Sequence, residues 1–360
     1  MTTEEILTTN STASTPCKSC GAPMTYKPGT NLLVCTYCNS TQEISQGELI
    51  LDELDFMTFM NSYEKEEFNK TKVVTCSNCK ATPTVDENLR SMMCPYCGSP
   101  LVEENIHEER YIKPGYVLPF RINRIKINDI LKTWVNGFWF APDNLKKAIL
   151  SADNINGVYI PFWTFDTETY TDYKGERGDA YYETVGSGKD RKRVRHVDWT
   201  YKNGNVSNFY DDVLVCGSVS LNPSILQNVQ RGWNPKAVVK IDNNYLEGYI
   251  TEKYQVDLKD SFEKAKIIFN NYERESVKRA IGGDEQRIND LYTKFDKITF
   301  KHILLPIYVS SFLYNNKSYT FYINGMTGNI SGNRPYSTTK IVFAILAAII
   351  IISIILMMMR

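Results

Sequence analysis

Apolar residues are spread along this chain in three distinct patterns. From Ile341 to Met359 they form an unbroken run of 19 residues in which Ser353 is the only polar member. At about 1.5 Å per residue a helix of that length covers roughly 28 Å, close to the hydrocarbon thickness of a bilayer. Between Tyr116 and about Tyr336 the pattern belongs to a globular body rich in Tyr, Phe and Trp. Gly157–Asp166 (GVYIPFWTFD) is extended and aromatic, a strand that continues toward Tyr170 and Tyr173. Residues 303–314 and 319–323 flank Asn315-Asn316-Lys317-Ser318, which marks a hairpin. Helices are fewer. One is expected from Asn128 or Asp129 to Val135, ended by Gly137; others start at Pro142 (142–150) and at Asn222-Pro223. The clearest runs from about Asp260 to Ala280, with Phe262, Ala265, Phe269 and Tyr272 on one face and Gly282-Gly283 beyond its end.

The first third is different: polar, poor in periodicity and rich in cysteine. Eight of nine cysteines lie between residues 17 and 97. Cys17, Cys20, Cys35 and Cys38 recur as Cys76, Cys79, Cys94 and Cys97, each displaced by 59 residues. Both copies read C-x2-C, fourteen residues, C-x2-C, and both carry an aromatic inside the second pair. A C-x2-C turn points two sulfurs at one spot, and a hairpin joining two such turns supplies a tetrahedron for zinc. Gly21 and Gly98 relax two of these turns. Two structural Zn(2+) ions are therefore expected; iron, disulfides and chance are the competing readings. A closed set of four sulfurs leaves no coordination position for water, so such sites hold a fold together and do not act as Lewis acids. The organisation expected is a flexible stretch over 1–15, zinc ribbons over 16–47 and 72–104, and an acidic linker or short helix over 48–71 between them. A strand-rich α+β domain over 116–336 and a single transmembrane helix over 341–359 complete a multidomain chain.

Charge sharpens this division. The chain is formally neutral, with 41 basic and 41 acidic residues, yet residues 1–110 hold 16 Asp/Glu against 8 Lys/Arg, leaving 25 against 33 for the rest. The halves carry −8 and +8. An acidic rim turns the ribbons away from nucleic acid, whose phosphates need clustered Lys and Arg, and toward protein partners. No apolar, positively flanked segment opens the chain, so a cytoplasmic body anchored in the cell membrane by residues 341–359 is expected. The run Lys189–Arg195 reads as a solvated hairpin, with anionic lipid or nucleic acid as rival ligands.

Catalytic chemistry is hard to find. There is no G-x4-G-K-[ST] and no H-E-x-x-H, and His107, His196 and His302 lie far apart. Asp166, Glu168, Glu176, Asp179, Asp211 and Asp212 are the best acid–base candidates, but their spacing demands no pairing and surface carboxylates explain them. Cys216 reads as a small buried hydrophobe. The aromatic clusters Trp134, Phe138-Trp139-Phe140 and Phe162-Trp163 read as core, with an interface or membrane-facing patch as the minority reading.

The twin cysteine quartets followed by YVLPF (116–120), GFWFAP (137–142), GVYIPFW (157–163), GERGD (175–179), FYDDVLV (209–215), IGGDEQRI (281–288), FKHILLP (300–306) and INGMTGNISGNRPYS (323–337) resemble a bacterial family of zinc-ribbon membrane proteins. Its members are labelled transcription-factor-IIB type zinc-ribbon proteins or relatives of the primosomal replication helicase. The resemblance implies a cytoplasmic body with a membrane segment and links to phage-shock-type membrane proteins and flotillin-like (SPFH) scaffolds. The helicase label rests on the cysteine pattern alone, since the P-loop is missing. The function expected is a membrane-tethered, non-enzymatic adaptor in envelope stress. A nucleic-acid-binding regulator, and then a hydrolase with scattered carboxylates in 116–336, are the alternatives.

Overall fold

A computed structural model describes residues 15–45, 51–62, 69–84, 92–142, 144, 145, 149, 155–187, 190–315 and 317–358. The expected loose start over 1–15, the helix over 142–150, much of the 48–71 linker and Lys189 of the basic run fall wholly or partly outside these residues.

The first four-cysteine segment forms an antiparallel three-stranded sheet of β1 (Met24–Lys27), β2 (Leu32–Cys35) and β3 (Thr41–Glu43). The linker then supplies β4 (Leu54–Asp55) and α1 (Phe56–Ser62). It is docked: the Phe56 ring lies 4.6 Å from Phe262, and Phe59 lies 5.1 Å from Phe300. The second four-cysteine segment contributes β5 (Asn69–Val74), β6 (Met92–Met93), β7 (Pro100–Leu101) and β8 (Ile106–Tyr111), paired β6 with β7 and β5 with β8.

The body begins with β9 (Tyr116–Val117) and α2 (Arg124–Asn136). This helix starts four residues before Asn128. The side chain of Asn123 accepts the Lys126 N–H at 2.9 Å as its cap, and the earlier start brings Ile127, Leu131 and Val135 onto one buried stripe. Two very long strands follow, β10 (Asn156–Val185) and β11 (Lys192–Cys216), then α3 (Pro223–Val229), capped by Asn222. Short pieces β12 (Val239–Lys240), α4 (Asn243–Leu246) and β13 (Ile250–Thr251) lead to α5 (Leu258–Ile281). The third long strand is β14 (Glu285–Tyr314), which turns at Asn315 into β15 (Lys317–Asn324), then β16 (Ile330–Gly332). Last is α6 (Thr338–Met358), long and apolar enough to cross a membrane and unburied along its length.

These strands make a nine-stranded sheet ordered β11-β10-β14-β15-β16, with β4, β9, β12 and β13 added alongside. At roughly 3.3 Å per residue, β10 and β14 are about 100 Å long. Their first and last thirds differ sharply. Residues 158–167 of β10 are buried on both faces: the four-cysteine segments cover opposite faces of its first part, and α5 with the linker covers Trp163 and Phe165. Val158, Ile160 and Phe162 pack with Val74, Cys76, Cys94 and Tyr96 of the second segment. Tyr159, on the other face, shares a core with Met24, Tyr26, Leu33 and Cys35 of the first. A strand covered twice has no reason to alternate, which is why GVYIPFWTF reads as a continuous apolar run. Beyond the bulges at Asp166 the strands extend as an arm with one open face, and past Tyr173 most of its side chains are exposed.

Helix α5 lies against the middle of the long strands. Asp257 caps it, three residues before the expected start, by accepting the Asp260 N–H at 2.8 Å. Phe262, Ala265 and Phe269 are buried as the periodicity requires, but Tyr272 is 49% exposed and the next inward position is Glu273. The buried Glu273 carboxylate accepts from Thr169 Oγ1 at 2.6 Å, Tyr210 Oη at 2.8 Å and Asn208 Nδ2 at 3.0 Å. These donors are why a polar carboxyl group is tolerated there. Phe269→Ala is therefore expected to cost about 3–5 kcal/mol of stability. Tyr272→Ala should stay within about 0.5 kcal/mol; thermal unfolding of the detergent-solubilised chain measures both.

Candidate functional site

Each quartet is assembled by two tight turns whose backbone repeats the same bonds. In the first, Gly21 N–H reaches Cys17 O at 2.8 Å and Asn39 N–H reaches Cys35 O at 3.0 Å. In the second, Lys80 N–H reaches Cys76 O at 2.9 Å and Gly98 N–H reaches Cys94 O at 2.9 Å. The residue after each second cysteine takes a left-handed conformation, with φ of 75° at Gly21, 59° at Asn39, 65° at Lys80 and 70° at Gly98. Only the two glycines advertise this in the sequence. Asn39 and Lys80 are betrayed by their equivalent place in the repeat, and Asn tolerates such a φ better than Lys does.

Within each quartet all four sulfurs lie within 4.8 Å of one another. Cys17 and Cys38 are 3.6 Å apart, Cys20 and Cys35 3.5 Å, Cys76 and Cys97 3.6 Å, and Cys79 and Cys94 3.4 Å. A tetrahedron with ~2.3 Å metal–sulfur bonds has edges of about 3.8 Å, so the donor set and its size fit a four-coordinate metal ion. Backbone N–H groups of Ser19 and Cys38 point at Cys17 Sγ and Cys35 Sγ, at 3.4 and 3.5 Å, as thiolates require. The first cysteine of every pair is buried in a core; the second is exposed in the first quartet (Cys20, Cys38) and half-buried against the core in the second (Cys79, Cys97).

Both segments are bolted to one stretch of the body. Tyr26 N–H donates to Glu247 O at 3.0 Å, whereas Lys253 N–H donates to Thr82 O at 3.0 Å. Between them, buried Glu252 accepts from Ser218 and Ser220 at 3.1 and 2.9 Å and from Tyr96, the aromatic inside the second cysteine pair. Burial raises the pKa of this carboxyl.

A third cluster brings together three of the acid–base candidates. Asp166, Asp211 and Asp212 meet Glu53 of the linker, with an oxygen of each within 4.8 Å of the others. The cause is a double irregularity in the sheet. Asp211 and Asp212 together face the single residue Asp166, and Lys297 and Ile298 together face Thr167. Asp212 and Lys297 take φ of 57° and 47° at these bulges. Buried Lys301 sits among the carboxylates, 2.6 Å from Glu53 and 2.7 Å from Asp212, while Lys236 reaches Asp211 at 2.5 Å. Asp212 N–H donates to Asp166 Oδ1 at 2.7 Å. Burial, then a hydrogen bond to Glu53, pushes Asp166 up to about 7 against the pull of the Asp212 N–H and Lys301. Glu53 moves the other way: burial opposes its ionisation, but Lys301, Thr299 and Asp166 outweigh it. One proton is thus held at Asp166 near neutral pH beside an ammonium group, an arrangement able to donate or accept a proton. The Lys301 ammonium already pairs with two of the four carboxylates. Sequence reading missed Glu53 and Lys301; the signal was the DD pair of FYDDVLV, two like charges in a strand.

The other candidates stay apart. Glu168 pairs with Lys297 at 2.7 Å, Glu176 with Arg287 at 3.4 Å and Asp179 with Arg177 at 2.9 Å. His107 bonds Glu109, and His196 stacks on Tyr181 at 5.3 Å. His302 is buried against Trp163, where burial lowers it to about 4. Half-buried Cys216 is pushed up to about 12 by burial, an inert thiol. A cavity of about 260 Å³ is lined by Lys113, Glu252, Lys253 and His302 and by none of the four clustered carboxylates. Among the aromatics Phe138, Phe162 and Trp163 are core, but Trp139 is 86% exposed.

No family model matches the chain, and no solved structure matches it. Among curated proteins it is similar to the uncharacterized protein YdjG of Bacillus subtilis (strain 168), at 23% identity over 235 residues. The match covers 64% of this chain and 66% of that protein, just under two thirds of its length.

The Asp166 carboxyl sets a pH dependence with a defined sign. An unfolded aspartate titrates near ~3.9, whereas the folded one holds its proton to about 7. Its contribution to stability is complete below about 4 and is lost as pH rises through about 7. Asp166→Asn keeps the acceptor for Asp212 N–H and removes the titration. The variant's melting temperature relative to wild type should climb between those two pH values and then level off. A flat difference would show that Asp166 titrates normally.

Proposed function

We propose that this chain is a membrane-tethered, non-enzymatic adaptor whose two four-cysteine segments are zinc ribbons holding structural Zn(2+). In this reading α6 crosses the cell membrane, the body lies on the cytoplasmic side where thiolates stay reduced, and the arm is the partner-binding surface. The observation that carries it is the open face of the arm. Tyr170, Tyr201, Phe209 and Tyr292 are all exposed there, on strands that alternate with charged residues. Exposed aromatics on a rigid sheet suit protein recognition, since they offer large contact area at small entropic cost. Closed sulfur sites supply stability, not catalysis. Tethering then raises the effective concentration of whatever the arm binds at the membrane. Phage-shock-type proteins and SPFH scaffolds, which the family resemblance implies, are the partners to look for.

A second reading is favoured by one observation, the convergence of Asp166, Glu53, Asp211, Asp212 and Lys301. A hydrolase would use the proton on Asp166 as a general acid.

Elemental analysis should find two zinc ions per chain, and Cys35→Ser or Cys94→Ser should each leave one and lower the melting temperature. For the adaptor role, crosslinking in the native cell followed by affinity purification from solubilised membranes should recover a reproducible partner. Its recovery should fall with Tyr201→Ala or Tyr292→Ala. A chain that purifies alone under both conditions would remove the adaptor reading.

A further inference from the structure

The loop after α2 is tied to the base of α6. Ser337 N–H donates to Phe140 O at 2.7 Å, and Lys340 Nζ donates to Ala141 O at 2.9 Å. These bonds fall within the turn that precedes Ile341, where the apolar run begins. On the loop's other side Phe138 N–H bonds Val135 O at 3.1 Å, which turns the Phe138 ring into the core. The Arg334 guanidinium covers that ring at 4.0 Å. With Phe138 committed inward, the next side chain has to point out, and Trp139 is 86% exposed. Phe140 and Tyr336 beside it are also exposed.

An indole left in water forgoes the burial of roughly 150–250 Å² of mostly apolar surface. Tryptophan and tyrosine are enriched where a bilayer meets water, because an apolar ring and a polar N–H or O–H are both satisfied there. The exposed rings thus belong to two segments, 138–141 and 334–340, that are bonded to each other where α6 begins. We infer that the 138–141 loop, with Trp139 at its tip and Tyr336 beside it, is a second membrane contact seated in the headgroup layer. Its ligand is the lipid surface itself. One helix alone lets a body swivel and tilt; a helix and a loop strapped to its base fix which side of the body faces the bilayer. This rests on the reading of α6 as a membrane span.

The test uses the full chain reconstituted into phosphatidylcholine vesicles with and without lipids brominated near the headgroup end of the acyl chain, which quench tryptophan at that depth. Wild type should lose about a fifth of its emission, the share of one tryptophan among five. Trp139→Phe should abolish that loss, and Trp199→Phe, on the arm, should keep it, as about a quarter of the emission of the four remaining tryptophans. Equal loss in wild type and Trp139→Phe, or none in either, with the protein still in the membrane pellet after an alkaline wash, overturns the loop contact and leaves the span standing. Release of the protein by the alkaline wash overturns the span, and the loop contact with it.

Discussion

The pairing of β10 with β14 where both faces are buried is the constraint on which the rest of this structure depends. Residues 156–166 of β10 run antiparallel to 299–309 of β14 without interruption. Side chains on the two surfaces enter different cores: Val158, Ile160, Ile303 and Leu305 on one, Tyr159, Leu304 and Tyr308 on the other. A sheet this apolar cannot face water on either side, so something has to cover it twice. The duplicated cysteine segment does so, one copy to each face, with α2 and α3 completing the two layers. The 59-residue repeat is thus a matched pair of covers for one sheet. It also explains why the stretch from Glu247 to Lys253, which touches both copies, contains the buried and fully bonded Glu252.

A metal ion held by either quartet is coupled to that core. Cys17 and Cys35 belong to the same apolar cluster as Tyr159, and Cys76 and Cys94 to the same cluster as Phe162. Cys20 and Cys38, which complete the first quartet, are exposed, whereas Cys79 and Cys97 of the second are half-buried against the core. Segments this short bury too little surface to hold their own shape. An ion held there would fix the hairpin whose inner face packs on the sheet.

Much of this was legible in the amino-acid sequence. The quartets were visible from spacing alone, since their geometry is local and repeated. The terminal apolar helix, the β14–β15 hairpin, the Asn222-Pro223 helix start and α5 were readable because caps, turns and periodicity are short-range signals. Errors arose where tertiary contacts decided. The start of α2 moved to Asn123 because burying Ile127 was worth more than the cap at Asn128. Tyr272 lost its inward place to Glu273 because three donors on β10 and β11 await a carboxylate there, and no local pattern announces them. The short helix offered for the linker is there as α1, but its docking is not legible, since Phe56 and Phe59 find aromatic neighbours more than a hundred residues away. The cluster around Lys301 was invisible for the same reason: it exists only where two bulges and a linker meet.

The arm has one more consequence. From the bulges at Asp166 to its end at Val185 it runs nineteen residues as continuous strand, a span of about 60 Å at ~3.3 Å per residue. Paired on both sides for part of that length and backed by α5 near its root, it behaves as a ruler. A protein bound at the far hairpin and another bound at the four-cysteine segments would be separated by more than the diameter of a small domain. Each could be occupied without reference to the other, and the spacing between them would be set by strand length instead of by any contact between the two.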